Sequence, residues 1–557
     1  MLPRLCLAAA LLAARARPAA AAAAPPPHPH IFFLLMDDWG WADWHHHNQN
    51  STEILTPNLD ALAAQGLVLN RHYVHKFCSP TRSALQTGRA PIHVNVLNSP
   101  VSQHNPRDPV GGFQGAPRNM TGIAEKLRGA GYATHLVGKW HAGLACPEQT
   151  PQGRGYDTSL HYFDAANDHW DQSYLQPCAY PTAADNFTAR DLWNTSGPAR
   201  GLNNSVLCSQ ANQAPGCVYE DALFTARVLD TIAAADPGTP LFIVWAPHAV
   251  HEPYEVPDAY LARFAAIDVP VRRYYAAMTA YIDDRVGEVV AALKARGLWD
   301  NLLLVMSSDN GAPLSAEANP AGLQGVTGGN NWPLRGGKMS NTEGGVRVNA
   351  LASGGALPPA VRGTLSGAFL AIEDWYTTFC GLAGVDAADA RAAAAGLPPV
   401  DGLDAWPVLS GASASSGRRL QFLGSSDGSP GVGNTIVQGV IRVADGFKLL
   451  LGDLNPAFWQ GPVFPNSSAG GDFGGLACGD PDATGSARGP GCLFNVYSDP
   501  YETHDRAAEL PHIVVELRAK IAEAQRTVYS PDRGEPDHRL FCGQAVRNGG
   551  FIGPFLP

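Results

Sequence analysis

Ile31-Phe32-Phe33-Leu34-Leu35-Met36-Asp37-Asp38 is the stretch from which the rest of the chain can be read. Six apolar residues without alternation mark a strand buried on both faces, as in a sheet covered by helices on either side. The run stops abruptly at two carboxylates. Two later stretches repeat the design: Leu241-Phe242-Ile243-Val244-Trp245 leads into His248, His251 and Glu252, and Leu302–Met306 leads into Asp309-Asn310. Leu67–His72 and Tyr132–Val137 read as further strands, the second running into Gly138-Lys139-Trp140-His141. Helical patterns lie between them. One opens at Thr56-Pro57 and closes at Gly66, another spans Ile123–Arg128, and two longer ones span Glu220–Ala235 and Arg272–Arg296. Strands alternating with helices predict a mostly parallel α/β sheet, whose ligands bind outside the carboxyl ends of the strands. On that geometry Asp37, Asp38, His248, His251, Asp309 and Asn310 converge although they are far apart in sequence.

The remainder is less regular. Residues 142–215, rich in aromatic, Asp and Asn residues, read as loops over a site. Gly325–Gly345 is a Gly-rich loop carrying Arg335 and Lys338, and Ala368–Gly384 reads as helix. The Ser/Gly-rich stretch Ser410–Gly417 is the expected domain boundary, dividing a larger unit at 28–415 from a smaller α+β unit at 416–557. The smaller unit has a hairpin over Thr435–Val443 and Phe447–Leu451 and an amphipathic helix over His512–Ala524.

Composition narrows the function classes. The 557-residue chain has a formal charge of -11 and no basic runs, which argues against nucleic acid as a partner. Residues 1–24 read as a secretory signal peptide; the Ala/Arg-rich, acid-free composition also fits an organellar transit peptide. No later apolar run approaches ~18 residues, so no membrane anchor is expected. The expected destination is the secretory pathway, ending outside the cell or in a lysosome- or vacuole-like compartment. Setting aside Cys6 and Cys78 leaves Cys146, Cys178, Cys208, Cys217, Cys380, Cys478, Cys492 and Cys542, an even set as a disulfide framework requires. Cys208/Cys217 and Cys478/Cys492 are the expected short-range pairs, and the other four have no assignable partners. Six Asn-x-Ser/Thr sequons, at Asn50, Asn119, Asn186, Asn194, Asn203 and Asn466, suit a glycoprotein.

Asp37, Asp38, Asp309 and Asn310 offer only hard oxygen ligands, which suit Ca²⁺ or Mg²⁺. Cys78-Ser79-Pro80-Thr81-Arg82 opens a helix closing at Gly88, with Cys78 at the N-terminus and Arg82 one turn on along the same face. In an extended segment Lys139 and His141 share a face. With His251, Arg82 and Lys338 they form a cationic lining, and around a dication such a lining implies a tetrahedral oxyanion or its ester as substrate. The His45–His47 triplet is either a metal site or a loop at the site rim, and the tryptophans at 39, 41 and 44 either line the entrance or pack that loop.

Cys78-Ser79-Pro80-Thr81-Arg82, continuing to Thr87-Gly88-Arg89, resembles the first sulfatase signature, and Gly131-Tyr132-Ala133-Thr134-His135-Leu136-Val137-Gly138-Lys139-Trp140-His141 resembles the second. Asp37-Asp38-x-Gly, His251-Glu252-Pro253, Asp309-Asn310-Gly311 and Lys338 followed by Glu343-Gly344-Gly345-Val346-Arg347 occur in that family's order, with a weaker echo at Asp401-Gly402. The flavour is that of B-type arylsulfatases. The resemblance implies an alkaline-phosphatase-like mostly parallel sheet flanked by helices, with a smaller C-terminal domain containing an antiparallel sheet. It implies hydrolysis of aryl or carbohydrate sulfate esters. Cys78 would be oxidised by a formylglycine-generating enzyme to formylglycine, whose hydrated aldehyde is the nucleophile. One Ca²⁺, in preference to Mg²⁺, would be held by Asp37, Asp38, Asp309, Asn310 and the modified Cys78. Arg82 would steady the hydrate, Lys139 and Lys338 would bind sulfate, His251 with Lys338 would protonate the leaving alcohol, and His141 would take a proton from the second hydroxyl. His251 is preferred to His248 because Glu252-Pro253 follows it. The chain departs from the pattern at Val348-Asn349-Ala350, where relatives often carry an acidic residue and proline. Two other readings remain open on the residues: a phosphomonoester or phosphonate-ester hydrolase of the same fold, and a catalytically silent secreted glycan-binding protein.

Overall fold

β1 (His30–Met36) is buried along its whole length. It sends alternate side chains to opposite faces of the sheet, so one strand serves two cores. Ile31, Phe33 and Leu35 join an apolar cluster with Trp375 and Phe379, whereas Phe32, Leu34 and Met36 join a second with Trp245 and Met278. The computed structural model describes residues 28–49, 51–179, 186–202, 207–314, 327–426, 435–462, 475–479 and 489–557. The stretch 1–24, expected to be a signal peptide, and the sequons at Asn50, Asn203 and Asn466 lie outside the described residues.

The elements that follow are α1 (Pro57–Ala64), β2 (Leu67–Tyr73), α2 (Cys78–Thr87), α3 (Ile123–Gly129), β3 (Ala133–Lys139), β4 (Thr158–Tyr162) and α4 (Glu220–Ala234). Next come β5 (Leu241–Ala246), α5 (Pro270–Ala295), β6 (Leu302–Ser308), β7 (Ala350–Ser353), β8 (Thr364–Ala371) and α6 (Asp374–Leu382). The eleven-stranded sheet runs β2-β7-β6-β1-β5-β3-β4 through its centre. β6, β1, β5, β3 and β4 are parallel, β7 is antiparallel to both β6 and β2, and β8 is parallel to β2. Helices α2, α3 and α6 cover one face, and α1, α4 and α5 cover the other. The register of β1 on β6 sets Met36 beside Ser308, so Asp37 and Asp309 leave the sheet together, and the Asp309 N–H donates to the Met36 carbonyl at 3.0 Å. β3 carries Lys139 to the same edge. Its Gly138 lies at φ 100° and a Cβ there would stand 1.9 Å from the Ala246 carbonyl, so only glycine lets β3 and β5 close up beneath the site.

Helix α1 starts at Thr56 as expected, but the threonine hydroxyl does not cap it. The Asp283 carboxylate of α5 accepts from the Asn58 and Leu59 amides at 3.0 and 2.9 Å instead. Two element assignments need correction. β4 lies inside the stretch expected to be loops; five residues with Thr, Ser and His among them have neither the length nor the apolar run of a buried strand, and pairing with β3 supplies what propensity does not. The segment expected as helix from Ala368 is strand as far as Ala371, because it pairs with β2, and becomes helix only at Asp374.

Beyond residue 416 an antiparallel sheet forms from β9 (Leu420–Ser426), β10 (Thr435–Arg442), β11 (Phe447–Leu450) and β12 (Cys492–Asn495) in that order. Helix α7 (Pro511–Gln525) packs on it through Leu517 and Ile521. After residue 530 the chain leaves this sheet. Arg533 donates to the Phe113 and Gly115 carbonyls, Phe555 N–H donates to Ala145, and Cys542 of α8 (His538–Arg547) is disulfide-bonded to Cys178. The two expected short bridges, Cys208–Cys217 and Cys478–Cys492, are present. The expectation that all eight cysteines pair is wrong: Cys146 and Cys380 are buried free thiols, and burial pushes them up to about 11 and about 12. Cys380 is committed to the apolar cluster under α6, and the Cys146 thiol donates to Gln149 Oε1 at 3.8 Å.

Candidate active site

Every residue of α2 is buried. Phe77 enters in extended conformation and no side chain caps the helix, so its first turn keeps free amides beside Cys78. Side chains fix the turn from outside. The Thr81 hydroxyl accepts from the His75 amide at 2.9 Å, and the Ser79 hydroxyl accepts from Gln114 at 2.7 Å and Asn95 at 3.1 Å. Gly88 ends the helix at φ 68° against the Tyr376 ring. The Asp401 and Gly402 amides donate to the Gly88 carbonyl, each at 2.9 Å, which is what the distant Asp401-Gly402 pair does structurally.

Arg82, one turn in, donates through Nε and Nη2 to Asp309 Oδ2 at 2.9 and 2.7 Å, and through Nη1 to the Lys139 carbonyl at 2.9 Å. Lys139 Nζ donates to Asp37 Oδ2 at 2.6 Å, and Lys338 Nζ to Asp38 Oδ2 at 2.9 Å. Asn310 Nδ2 donates to Asp38 Oδ1 at 2.6 Å. His251 Nε2 lies 3.2 Å from Lys338 Nζ and 3.5 Å from Asp38 Oδ2, while its Nδ1 is turned to the Glu252 carbonyl at 2.7 Å. The structure thus gathers Asp37, Asp38, Cys78, Arg82, Lys139, His141, His251, Asp309, Asn310 and Lys338 at one edge of the sheet. Asp37, Asp38, Cys78 and His251 offer ligand atoms all within 4.8 Å of one another. Asp309 falls outside that group of four, its Oδ2 occupied by Arg82.

Burial and charge set the protonation states. Burial alone would raise Asp38, but Lys338, His251 and Lys139 outweigh it and hold the carboxyl at about 2. Asp309 goes the other way, up to about 6, because burial and the neighbouring Asp37 exceed the pull of Arg82 and Lys139. Burial, then Lys338, lowers His251 to about 3; burial and the cations Lys139 and Arg82 drive His141 well below its usual value. Both imidazoles are therefore neutral near pH 7. Burial pushes the Cys78 thiol up to about 12, so the unmodified side chain is no thiolate nucleophile. Two buried acceptors at the cluster have no hydrogen-bond donor among the described residues, Asp37 Oδ1 and Asn310 Oδ1. Two orphaned hard oxygens beside further carboxylate oxygens fit a bound Ca²⁺ or Mg²⁺.

His248 stands behind His251, fully buried, with Nδ1 3.0 Å from Glu220 Oε2 and its ring stacked 3.7 Å from His169. His169, Glu220 and His248 also bring ligand-type atoms together. The two rings lie 11° from parallel, however, so their in-plane lone pairs do not aim at a common ion. They anchor the loop: Asp221 accepts from the His248 and Ala249 amides at 2.9 Å each, and His169 Nε2 lies 3.4 Å from the His251 carbonyl. Glu220, Asp221 and His169 have no motif around them; the one available sign was the acidic first turn of α4. His45–His47 is not brought to the oxygen cluster. His47 stacks on Trp41 at 3.9 Å and bonds Asn349, and His45 bonds Asp60, while Trp39 and Trp44 are buried and pack the loop. Asn349, where the family pattern is broken, also donates to the Gly40 carbonyl at 2.8 Å. Above the cluster a cavity of about 450 Å³ opens, with His251 and Lys338 among its lining residues and Phe77, Asp164, Glu252 and Ser426 around them.

The family described as Sulfatase matches residues 29–385. The chain is 31% identical over 543 residues to arylsulfatase J of Mus musculus, covering 94% of this chain and 80% of that protein. It is 32% identical over 381 residues to N-acetylgalactosamine-6-sulfatase of Mus musculus, covering 68% of this chain and 66% of that protein. Among solved structures, a Pseudoalteromonas sulfatase superposes with TM-score 0.64 at 22% identity, over 90% of each chain, a likeness of fold.

Proposed function

Since this chain belongs to the sulfatase family and is a sulfuric ester hydrolase, we propose that Cys78, converted to formylglycine, is its nucleophile and that Asp37, Asp38, Asp309 and Asn310 hold one Ca²⁺ beside it. The observation that carries this reading is the packing of a buried, protonated Cys78 against hard oxygen ligands, two of them without donors. A thiolate suits neither that pocket nor such an ion. The modified residue would supply a hydrated aldehyde oxygen as nucleophile, and the dication would ease loss of its proton.

The remaining work falls to the chain's own side chains. Lys139 and Lys338 bind the sulfate oxygens. Arg82, tied to Asp309 and the Lys139 carbonyl, holds the α2 face in register and offsets charge. His251, directed by the Glu252 carbonyl on Nδ1, presents Nε2 beside Lys338, and that pair delivers a proton to the departing alcohol oxygen. His141, kept neutral, accepts a proton at a ring nitrogen; its Nδ1 has no other partner among the described residues. The substrates are aryl or carbohydrate sulfate esters. A leader at 1–24 directs the chain to the secretory pathway, where a formylglycine-generating enzyme acts on it, and its sequons carry glycan. The larger unit begins at residue 28 and gives way to the smaller one near 416.

Mass spectrometry of the Cys78 peptide from the native host tests the nucleophile: the expected product is aldehyde, and a thiol throughout would overturn it. Parallel kinetics on aryl sulfate and aryl phosphate test the substrate, and faster phosphate turnover would overturn it.

A further inference from the structure

We propose that Tyr275 is a positioning residue for metal binding, its hydroxyl holding the turn from Asp38 to Gly40 in the conformation that presents the Asp38 carboxylate to the ion. The proposal rests on the calcium reading above and goes beyond it, since Tyr275 lies on α5 and belongs to none of the motifs that carry the site residues.

Asp38 lies at φ 56°. That is the left-handed region, which a residue with a Cβ keeps only when its surroundings hold it there. Rotation back to negative φ would swing the carboxylate away from Lys338 Nζ and Asn310 Nδ2, which it meets at 2.9 and 2.6 Å. The restraint comes from α5. Tyr275 Oη donates to the Asp38 carbonyl at 2.9 Å and accepts from the Gly40 amide at 3.2 Å, so one hydroxyl closes the turn from both ends. The Asp43 carboxyl, which this hydroxyl also approaches, already accepts from Arg272 at 2.6 Å and from the Asn330 amide at 2.7 Å, which leaves the hydroxyl's one proton to Asp38. Asn349, donating to the Gly40 carbonyl at 2.8 Å, fixes the turn on its other side.

The phenol is itself held in place. Tyr275 is fully buried, and its ring meets the Tyr254 ring edge-on at 6.1 Å. The Gly-rich loop lies so close that a Cβ on Gly328 would stand 2.5 Å from the Tyr275 Cβ, which accounts for a glycine at this point of the loop. Outer partners that orient a ligating carboxylate set metal affinity, and losing one typically weakens binding about 10–100-fold.

The test is isothermal calorimetry of calcium binding to the chelator-treated, mature full-length protein. Tyr275→Phe keeps the ring and removes only the hydroxyl; the expected result is a calcium Kd raised about tenfold or more. Tyr132→Phe also removes one buried phenol hydroxyl, but Tyr132 Oη donates to the Pro29 carbonyl at 3.1 Å, beyond the opposite end of β1. Its calcium Kd should stay within about twofold of that of the unmutated protein. Because Kd is read from the shape of the titration, a loss of folded protein lowers the apparent stoichiometry and leaves Kd in place. An unchanged Kd in Tyr275→Phe, or an equal weakening in Tyr132→Phe, would overturn the proposal. Absence of calcium binding by the unmutated protein would instead overturn the calcium reading on which it rests.

Discussion

Replacing Lys448 by methionine tests how the small sheet supports the catalytic loop. Lys448 is fully buried on β11, with Nζ 2.9 Å from Glu343 Oε1 and 2.9 Å from Glu502 Oε1, both carboxylates also fully buried. Glu343 accepts from Tyr73 at the end of β2, and its amide donates to Glu502 at 2.8 Å. One ammonium therefore joins the small sheet, the large sheet and the segment running from Lys338 to Glu343. Methionine keeps the volume and removes the charge. Each charge-assisted contact contributes about 1.5–3 kcal/mol, and a buried pair broken on one side costs about 3–5 kcal/mol, because the carboxylates left behind cannot be rehydrated. The expected loss is about 3–5 kcal/mol at pH 7, read from denaturant midpoints at constant slope. The pH dependence has a definite sign. Glu502 is raised by burial, and losing Lys448 raises it further; a folded carboxyl with a raised pKa binds protons that the unfolded one has released, so stability falls as pH rises through that window. The deficit of Lys448→Met should thus be smaller near pH 5 than near pH 8. Adding Glu502→Gln should recover at least about 1 kcal/mol. A loss below about 1 kcal/mol, or a deficit that grows on acidification, would refute the reasoning.

The other predictions concern the site and its frame. Cys78→Ser and Cys78→Ala should both retain the fold by circular dichroism and lower kcat by at least about a thousandfold, one losing the aldehyde precursor and the other any nucleophile. Calcium should raise the Tm of the mature protein, by the equivalent of about 2.7 kcal/mol at a hundred times its Kd, and Asp37→Asn should abolish most of that shift. Asp221→Ala removes the acceptor for the His248 and Ala249 amides, so it should cost about 2 kcal/mol and lower kcat more than it raises KM, as loosening of the His251 loop requires. Thiol titration in denaturant without reductant should count two thiols per fully converted chain lacking its leader, Cys146 and Cys380, and a count of none would restore the eight-cysteine framework.

What could be read from the sequence was whatever local chemistry writes into a few consecutive residues. β1, β5 and β6 are unbroken apolar runs ending in ligands, and the rule that parallel sheets bind at their carboxyl edge brought Asp37, His251 and Asp309 together without any contact information. α2 announced itself by Pro80 inside and Gly88 after it. β4 and β8 were hidden because their strand character comes from the neighbour they pair with and not from their own residues. The Asp283 cap on α1 and the Asp221 clamp on the His251 loop were hidden for a related reason. A carboxylate that serves another element's amides leaves no trace beside them in sequence. Cysteine parity failed because it treats every thiol as available, whereas Cys380 is held by its apolar neighbours.

The charge balance of the site bears on the proposed chemistry. Asp37, Asp38 and Asp309 are matched by Arg82, Lys139 and Lys338, three against three, in mutual contact. A cluster so balanced attracts an anionic ester only weakly. The orphaned Asp37 Oδ1 and Asn310 Oδ1 show where further positive charge would be stabilised, and a dication there brings the total to +2. That surplus would favour the ester monoanion and, more strongly, the transition state in which an ionised nucleophile brings a second negative charge to it, which is the differential stabilisation catalysis requires. Removing one carboxylate, as in Asp37→Asn, raises the bare cluster's charge but weakens the metal. If activity follows the ion and not the bare charge, Asp37→Asn should recover part of its kcat as calcium is raised, whereas Lys139→Met should not. Equal calcium responses in the two variants would mean that Lys139 acts by holding Asp37 for the ion and not by contacting sulfate.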